Sequence, residues 1–365
     1  MSQPLPPNPP PARRSAWPAL LGIAAIVAVI AAAFAWVGGW LGGRGLTPQQ
    51  MTDTIENGKP HPGFRRAHSK GVCVAGNFQP SAQAAQLSRA RIFTQPSTPV
   101  VGRLSIAGGD PHGADAQARV RSLALLLKTD DGQEWRMAMN SFPFFVVATP
   151  QGFQAQNLAS RPDPATGKPD PAKMAAFLQQ YPEAKKFFAW AKSAPWSNSW
   201  ANTQFNGVDS FWFTNAQGLR RAVRWSMRPH APFQDLSTEQ RAQSDADFLS
   251  EEFATRLAQS PQQWDLVVTL AQDGDAIDDP SQPWPDARPQ VVAGTLTVDA
   301  MQPQDTGPCR DLNYDPTVLP DGMAPSDDPI LAARSAVYSV SFNRREHEIG
   351  TGQAPDATGA KGEAK

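Results

Sequence analysis

RSLALLLKTDDGQEWRMAMN, residues 121–140, reads as a β-hairpin. An apolar run ends at Asp130-Asp131-Gly132, a turn-forming cluster, and the return arm alternates Trp135, Met137 and Met139 with Arg136, Ala138 and Asn140. Alternation with a period of two places those sets on opposite faces of one strand. Working outward, SFWFTNAQGLRRAVRWSMRP (210–229) repeats the pattern around a turn at Asn215–Gly218, with Val223, Trp225 and Met227 alternating with Arg224 and Ser226. TPVVGRLSIAGG (98–109), WDLVVTLAQDG (264–274) and VVAGTLTVD (291–299) add further strands. Hairpins in succession predict an α+β fold: an antiparallel sheet closed as a β-barrel with peripheral helices.

Two stretches supply helices. DPAKMAAFLQQYPEAKKFFAWAKS (170–193) has helical periodicity, broken or kinked at Pro182. STEQRAQSDADFLSEEFATRLAQS (237–260) opens with a capping-box pattern from Ser237 to Gln240. A last helix carries ILAARSAVYSVSFNRR (330–345).

The chain has 365 residues, enough for one large domain or two ordinary ones. Its 33 basic residues nearly cancel 34 acidic ones, so the basic excess of a nucleic-acid-binding protein is missing. With 36 prolines and 27 glycines, much of the fold is turns and loops, which argues against a long helical bundle.

Residues 15–43 carry no charge, and ALLGIAAIVAVIAAAFAWV (19–37) is long enough for a bilayer core. Trp17, Trp36 and Trp40 flank it, and Arg13 and Arg14 precede it. The expected organisation is a disordered cytoplasmic N-terminus (1–15), one transmembrane helix as anchor (16–41), a linker (42–60), one folded domain (61–350) and a disordered tail (351–365). The positive-inside rule then puts the folded domain on the periplasmic or extracytoplasmic side of the membrane. A cleaved signal peptide is the alternative, although the apolar region exceeds the usual ~7–15 residues. Cys73 and Cys309 have no CxxC spacing; they form either one disulfide across a long loop or two unrelated thiols.

Four constellations could carry chemistry. Arg334, Tyr338 and Arg345 share one helix face, setting a phenol between two guanidinium groups. Arginine at hydrogen-bond distance favours the anion of a phenol, and a phenolate is a hard ligand suited to ferric iron. The plain alternative is an amphipathic helix with a buried tyrosine. In HPGFRRAHSKGVCVAGNF (61–78), His68 stands before an apolar strand with Arg65 three residues earlier. It is a candidate proton shuttle, or else a solvated histidine. Arg103 and Ser105 lie on one strand face; if that face looks into a barrel, it buries a charge that needs a partner. In MNSFPFFVVATPQGF (139–153), Asn140 ends a strand beside aromatic residues, a dry setting for an amide that hydrogen-bonds a small substrate, or simply a turn.

Taken together, in order and spacing, these segments resemble the haem catalase family. RRAHSKGVCVAGNF resembles the distal-histidine segment, TPVVGRLS the strand whose arginine binds a haem propionate, NSFPFF the asparagine segment and RSAVY the proximal motif. The resemblance implies haem b as cofactor, with Tyr338 as iron ligand and Arg334 its partner. His68 and Asn140 would be catalytic, and Ser105 would support the histidine. Arg65, Arg103 and Arg345 would bind propionates, and Phe153 would stack on the porphyrin. It extends through SFWFTNAQGLRRAVRW, QPWPDARPQVVAGTLTVD and LNYDPTVLPDGMAPSDDP, covering roughly residues 60–347. The chain departs from long catalases in three places: it ends soon after Tyr338, it has an apolar segment in place of the N-terminal arm, and Asp209 stands where histidine is common. NADPH binding is therefore not expected, nor is the usual tetramer.

The shape resembles the short catalase-related peroxidases. Its expected activity is reduction of hydrogen peroxide, using a small organic electron donor and in part a second peroxide. Two alternatives share the barrel. A lipid hydroperoxide-metabolising enzyme would prefer fatty-acid hydroperoxides. A non-catalytic haem-binding module would need Tyr338 but no His68–Asn140 pair.

Overall fold

The computed structural model describes residues 17–37 and 45–354, without the side chains of Pro18, Ala19 and Val37. The expectations for residues 1–15 and for most of the tail (355–365) fall outside the described residues. Two units separate, Met1–Thr47 and Pro48–Lys365. The first contains helix α1, Trp17–Val37, which exposes Leu20, Ile26, Ile30 and Phe34. Among the described residues, no helix is long and apolar enough to cross a membrane, so the transmembrane helix expected over 16–41 is not carried by the structure.

The second unit begins within the expected linker. Residues Pro48–Glu56 form helix α2, whose Met51, Thr52 and Thr54 are buried. Its Glu56 pairs with Arg66 and Arg344. The linker reading missed α2 because its apolar residues are few; the helix is held by ion pairs to distant segments.

The strands are β1 (Gly71–Pro80), β2 (Thr98–Ile106), β3 (Arg121–Lys128), β4 (Glu134–Asn140), β5 (Phe205–Thr214), β6 (Arg220–Pro229), β7 (Gln262–Leu270), β8 (Gln290–Pro303) and β9 (Met323–Pro325). They run β4-β3-β2-β1-β8-β7-β6-β5, every pair antiparallel. One bridge, Asn140 to Asn206, joins β4 to β5 and closes an eight-stranded barrel; β9 adds to the outside of β5. The 121–140 hairpin forms as read, with Lys128 opposite Glu134. Gly132 supplies the turn at φ +85°, where a side chain would be strained.

Leu104, Leu123, Leu125, Leu127, Trp135, Met137, Phe211, Trp225 and Leu296 fill the barrel interior and are each at most 3 % exposed. A small barrel is a packed core rather than a cavity. Period two then decides where the polar residues go. Arg103, Ser105, Ser122 and Asn140 alternate with this core and lie on the outer face of β2, β3 and β4.

The face bearing Arg103 and Ser105 therefore looks out of the barrel. It is buried because helices and loops cover it. The remaining helices are α3 (Ala84–Leu87), α4 (Pro150–Ala159), α5 (Pro171–Gln180), α6 (Ala184–Ser193), α7 (Thr238–Gln243), α8 (Phe248–Gln259) and α9 (Pro329–Gly350). Pro182 separates α5 from α6, and Ser237 and Gln240 form the expected capping box on α7. Helix α9 covers the outer face of β4: Arg334 Nη2 donates to the Ala138 carbonyl at 2.7 Å. The loop before it is tied to the same strand by Arg136, whose backbone N–H donates to Val318 O at 3.0 Å.

Candidate active site

Segment 61–70 crosses the outer face just before β1 and is pinned to both layers. The Arg66 guanidinium, 4 % exposed, pairs with Glu56 and with Glu348 of α9, and the Arg66 backbone N–H donates to Ser341 Oγ at 3.2 Å. Ser69 N–H donates to Gly108 O at 3.0 Å, and the Ser69 hydroxyl donates to Arg65 O. Between these clamps His68 adopts φ +54°, a left-handed conformation uncommon for a side-chain-bearing residue. Such strain persists only where the surroundings over-determine it, and it is typical of functional sites.

His68 Nδ1 lies 3.0 Å from Ser122 Oγ, and Ser122 Oγ donates to Asn140 Oδ1 at 2.5 Å. Cross-strand register explains the triplet, because Ser122 is directly opposite Asn140. A hydroxyl has one proton, and here it goes to the amide oxygen. Ser122 must then accept from His68, which places the imidazole proton on Nδ1 and leaves Nε2 as a bare lone pair. The same bond occupies Asn140 Oδ1 and frees its NH₂ to donate. His68 keeps some accessible surface, yet protein encloses it. Burial, followed by the positive charges of Arg103 and Arg334, lowers its pKa to about 4, so the ring is neutral near pH 7.

Ser105, expected to support His68, stands opposite Ser122 on the next strand and is 3 % exposed. The hydroxyl that touches the imidazole belongs to Ser122. Sequence reading missed it because its role comes from β3–β4 register, although Ser122 begins the quoted hairpin.

Three of the arginines form an unusual cluster. Arg65 Nη2 donates to the carbonyls of Cys309, Arg310 and Leu312 at 2.8, 3.2 and 2.9 Å. Arg103, 2 % exposed, donates to Ser69 O at 3.0 Å and Gln304 Oε1 at 2.5 Å. Arg345, 3 % exposed, reaches Glu346 at 3.6 Å. Burial lowers all three pKa values, that of Arg103 to about 10, and Arg65 is lowered further by the charges of Arg103 and Arg345. Arg103 Nε, Arg345 Nε and the Tyr314 hydroxyl are buried without a hydrogen-bond partner. Burial also raises the Tyr314 phenol to about 12. Buried cations with unpaired donors call for an anion, and the two carboxylates of haem fit that demand. Gly71 keeps the space open: a Cβ there would lie 2.8 Å from Arg103 Cζ and 2.4 Å from Leu104 O.

A disulfide between Cys73 of β1 and Cys309 holds the loop whose carbonyls bind Arg65. This selects one of the two readings of the cysteines.

On α9, Arg334 Nη2 donates to Tyr338 Oη at 3.2 Å, while Nη1 pairs with Asp209 of β5. Arg345 continues the helix toward Arg65 and Arg103. The structure thus brings His68, Asn140, Arg65, Arg103, Arg334, Tyr338 and Arg345 around one region between the barrel's outer face and α9. Phe153 is on α4, in a separate apolar cluster with Val146, Val147 and Phe177; its ring is 5.2 Å from Phe145.

The site thus combines an eight-stranded antiparallel barrel, whose outer face carries a clamped histidine–serine–asparagine triplet, with an arginine–tyrosine pair borne by α9. Residues 61–349 match the Catalase family model, and the chain belongs to the catalase family. It is 40 % identical over 333 residues to a catalase-related peroxidase of Synechococcus elongatus, covering 91 % of this chain and 98 % of that protein. It is 32 % identical over 322 residues to a catalase-related peroxidase of Mycolicibacterium paratuberculosis, covering 85 % and 98 %. The crystal structure of a fungal catalase superposes with a TM-score of 0.69 at 19 % identity, over 79 % of this chain and 60 % of that one, a likeness of fold.

Proposed function

We propose that the region between His68 and Tyr338 holds haem b and that the enzyme couples reduction of hydrogen peroxide to oxidation of a small organic donor. The enzyme is a catalase-related peroxidase acting on hydrogen peroxide. Haem, when bound, supplies the redox centre for breaking the O–O bond. The carboxylates of that haem would pair with Arg65, Arg103 and Arg345, and Tyr338 would be its iron ligand. Arg334 brings a positive charge to the Tyr338 oxygen, as an iron-binding phenolate requires.

The protein's own part is proton handling. His68 Nε2, bare because Nδ1–H is held by Ser122, takes a proton from one peroxide oxygen and returns it to the other. The Asn140 amide NH₂, free because Oδ1 accepts from Ser122, donates to the peroxide and orients it. Two electrons and two protons from the donor, together with peroxide, give two waters. The His68–Ser122–Asn140 linkage is the observation that carries this reading: it fixes a tautomer, and a non-catalytic haem carrier has no use for one.

Two further proposals concern location. The uncharged stretch 15–43 behind Arg13 and Arg14 supports a membrane tether, and the Cys73–Cys309 disulfide favours an oxidising, extracytoplasmic compartment. Fractionation of cells expressing the full chain tests both.

For the activity, the full chain is loaded with haem and given peroxide with and without a phenolic donor. Donor oxidation that His68→Ala abolishes while haem stays bound is the expected result. Full activity in His68→Ala, or the absence of both donor oxidation and oxygen release in the wild type, overturns the reading.

A further inference from the structure

One end of the barrel carries a cavity that the chemistry above does not use. It has a volume of about 480 Å³ and is lined from the starts of β3 and β5, the ends of β4 and β6, and the end of α6. That size suits a small organic molecule. Trp190, Trp196 and Phe233 give it aromatic walls, while Arg119, Arg121 and Arg228 give it positive charge. Among the described residues, no carboxylate lines it. Asp265, which pairs with Arg228 and His230, stands outside the lining.

Arg119 and Arg121 have no such acid. Arg119 donates to the carbonyls of Ala191, Pro195 and Ala194 at 3.1, 3.2 and 2.6 Å. Its guanidinium lies 4.9 Å from the Trp190 ring and 4.7 Å from that of Trp196. Arg121 is 2 % exposed; its Nη1 donates to the carbonyl and hydroxyl of Ser197, and its Nη2 is buried with no acceptor. Asp115 and Glu252, whose charges reach Arg121, are engaged elsewhere, by Lys70 and by Ser199 and Arg256. Burial lowers the Arg121 pKa to about 10, so the group stays charged near neutrality. A buried guanidinium nitrogen without an acceptor, beside a second guanidinium held only by carbonyls, calls for an anion, and arginine suits a carboxylate. The indoles and Phe233 suit a planar ring.

The cavity stands back to back with the His68–Ser122–Asn140 triplet. Arg121 N–H donates to Ser141 Oγ at 3.1 Å, and Ser141 N–H donates to Arg121 O at 2.8 Å. Arg121 and Ser141 are the chain neighbours of Ser122 and Asn140. We infer that this cavity binds the organic electron donor, and that the donor is a small aromatic carboxylate held by Arg119 and Arg121. The inference rests on the reading above that the enzyme oxidises such a donor. With a phenolic carboxylate, each donor is oxidised by loss of one electron and its phenolic proton. Two of them reduce one peroxide, giving two phenoxyl radicals and two waters.

The test uses the full chain loaded with haem. Benzoate, which has no phenol to oxidise, is the binding probe; para-hydroxybenzoate and para-cresol are the anionic and neutral donors. Equilibrium dialysis should give saturable benzoate binding in the wild type. Binding should weaken at least about tenfold in Arg119→Gln and in Phe233→Glu, which sets a negative charge at an exposed part of the lining. The ratio of kcat/KM for para-hydroxybenzoate to that for para-cresol should fall at least about tenfold in both variants. A merely structural role for Arg119 would lower both donors alike and leave the ratio unmoved. No saturable benzoate binding up to about 10 mM, or a ratio in Phe233→Glu within about twofold of the wild type, overturns the inference. If Arg119→Gln does not fold, Phe233→Glu decides. Oxidation of para-hydroxybenzoate without benzoate binding would reject the cavity and keep the peroxidase reading. Benzoate binding without oxidation of either phenol would keep the carboxylate site and reject the donor assignment.

Discussion

The hydroxyl of Ser122 stands 3.0 Å from His68 Nδ1 and gives its own proton to Asn140. Register across β3 and β4 thereby sets the tautomer of a histidine 54 residues away in sequence. Ser122→Ala should leave haem binding intact and lower kcat/KM for peroxide by about 10–100-fold, the range of a mis-set general base. Ser105→Ala should change it by less than about twofold. Stopped-flow rates for the two variants separate these expectations; equal losses would reject the tautomer account.

The reaction with peroxide should be nearly independent of pH from neutrality down to about pH 5 and decline below about 4, where His68 gains its proton. Stability follows the same group. The folded pKa lies below the unfolded value of 6.5, so the unfolded chain binds the proton first. Stability is therefore lost as pH falls from about 6.5 to about 4, by roughly 3 kcal/mol. Urea unfolding of wild type and His68→Gln across that range measures it; parallel pH profiles would contradict it.

Arg334 is the only direct ion-pair partner found for Asp209 among the described residues. Arg334→Leu strands a buried carboxylate and should cost about 3–5 kcal/mol in denaturant unfolding. Arg334→Lys retains the charge but loses the fork that reaches Asp209, Ala138 and Tyr338 together, so it should recover only part of the loss.

Gly71→Ala should reduce haem affinity by at least about tenfold, because the new methyl group would press on the Arg103 guanidinium. Haem titration followed by absorbance measures the change. Unaltered affinity would mean that Arg103 does not hold the cofactor.

Reduction of the Cys73–Cys309 disulfide should destabilise the domain by about 2–4 kcal/mol and loosen the carbonyls that hold Arg65. Thermal unfolding and haem retention of Cys73→Ser with Cys309→Ser check both effects.

What the sequence made legible was local. The turn at Asp130-Asp131-Gly132, the split at Pro182 and the Ser237 capping box depend on near neighbours and form as read. His68, Arg103, Asn140, Arg334 and Tyr338 could be found from their motif segments. Ser122 could not, since only pairing of β3 with β4 brings it to the histidine. Closure of the barrel through Asn140 and Asn206 is likewise invisible in one dimension. The outward direction of Arg103 and Ser105 needed knowledge of which face the large apolar residues would fill. Helix α2 and the Arg66–Glu56–Glu348 network were hidden for a related reason: ion pairs between distant segments leave no periodic trace.

The central proposal is that Tyr338 would be the iron ligand of a haem held between α9 and the segment that carries His68. The absorption spectrum of the full chain loaded with haem, compared between wild type and Tyr338→Phe, tests it most directly. A shifted Soret band and an altered ferric coordination signature in the variant are predicted. An unchanged spectrum at equal haem occupancy would contradict the assignment.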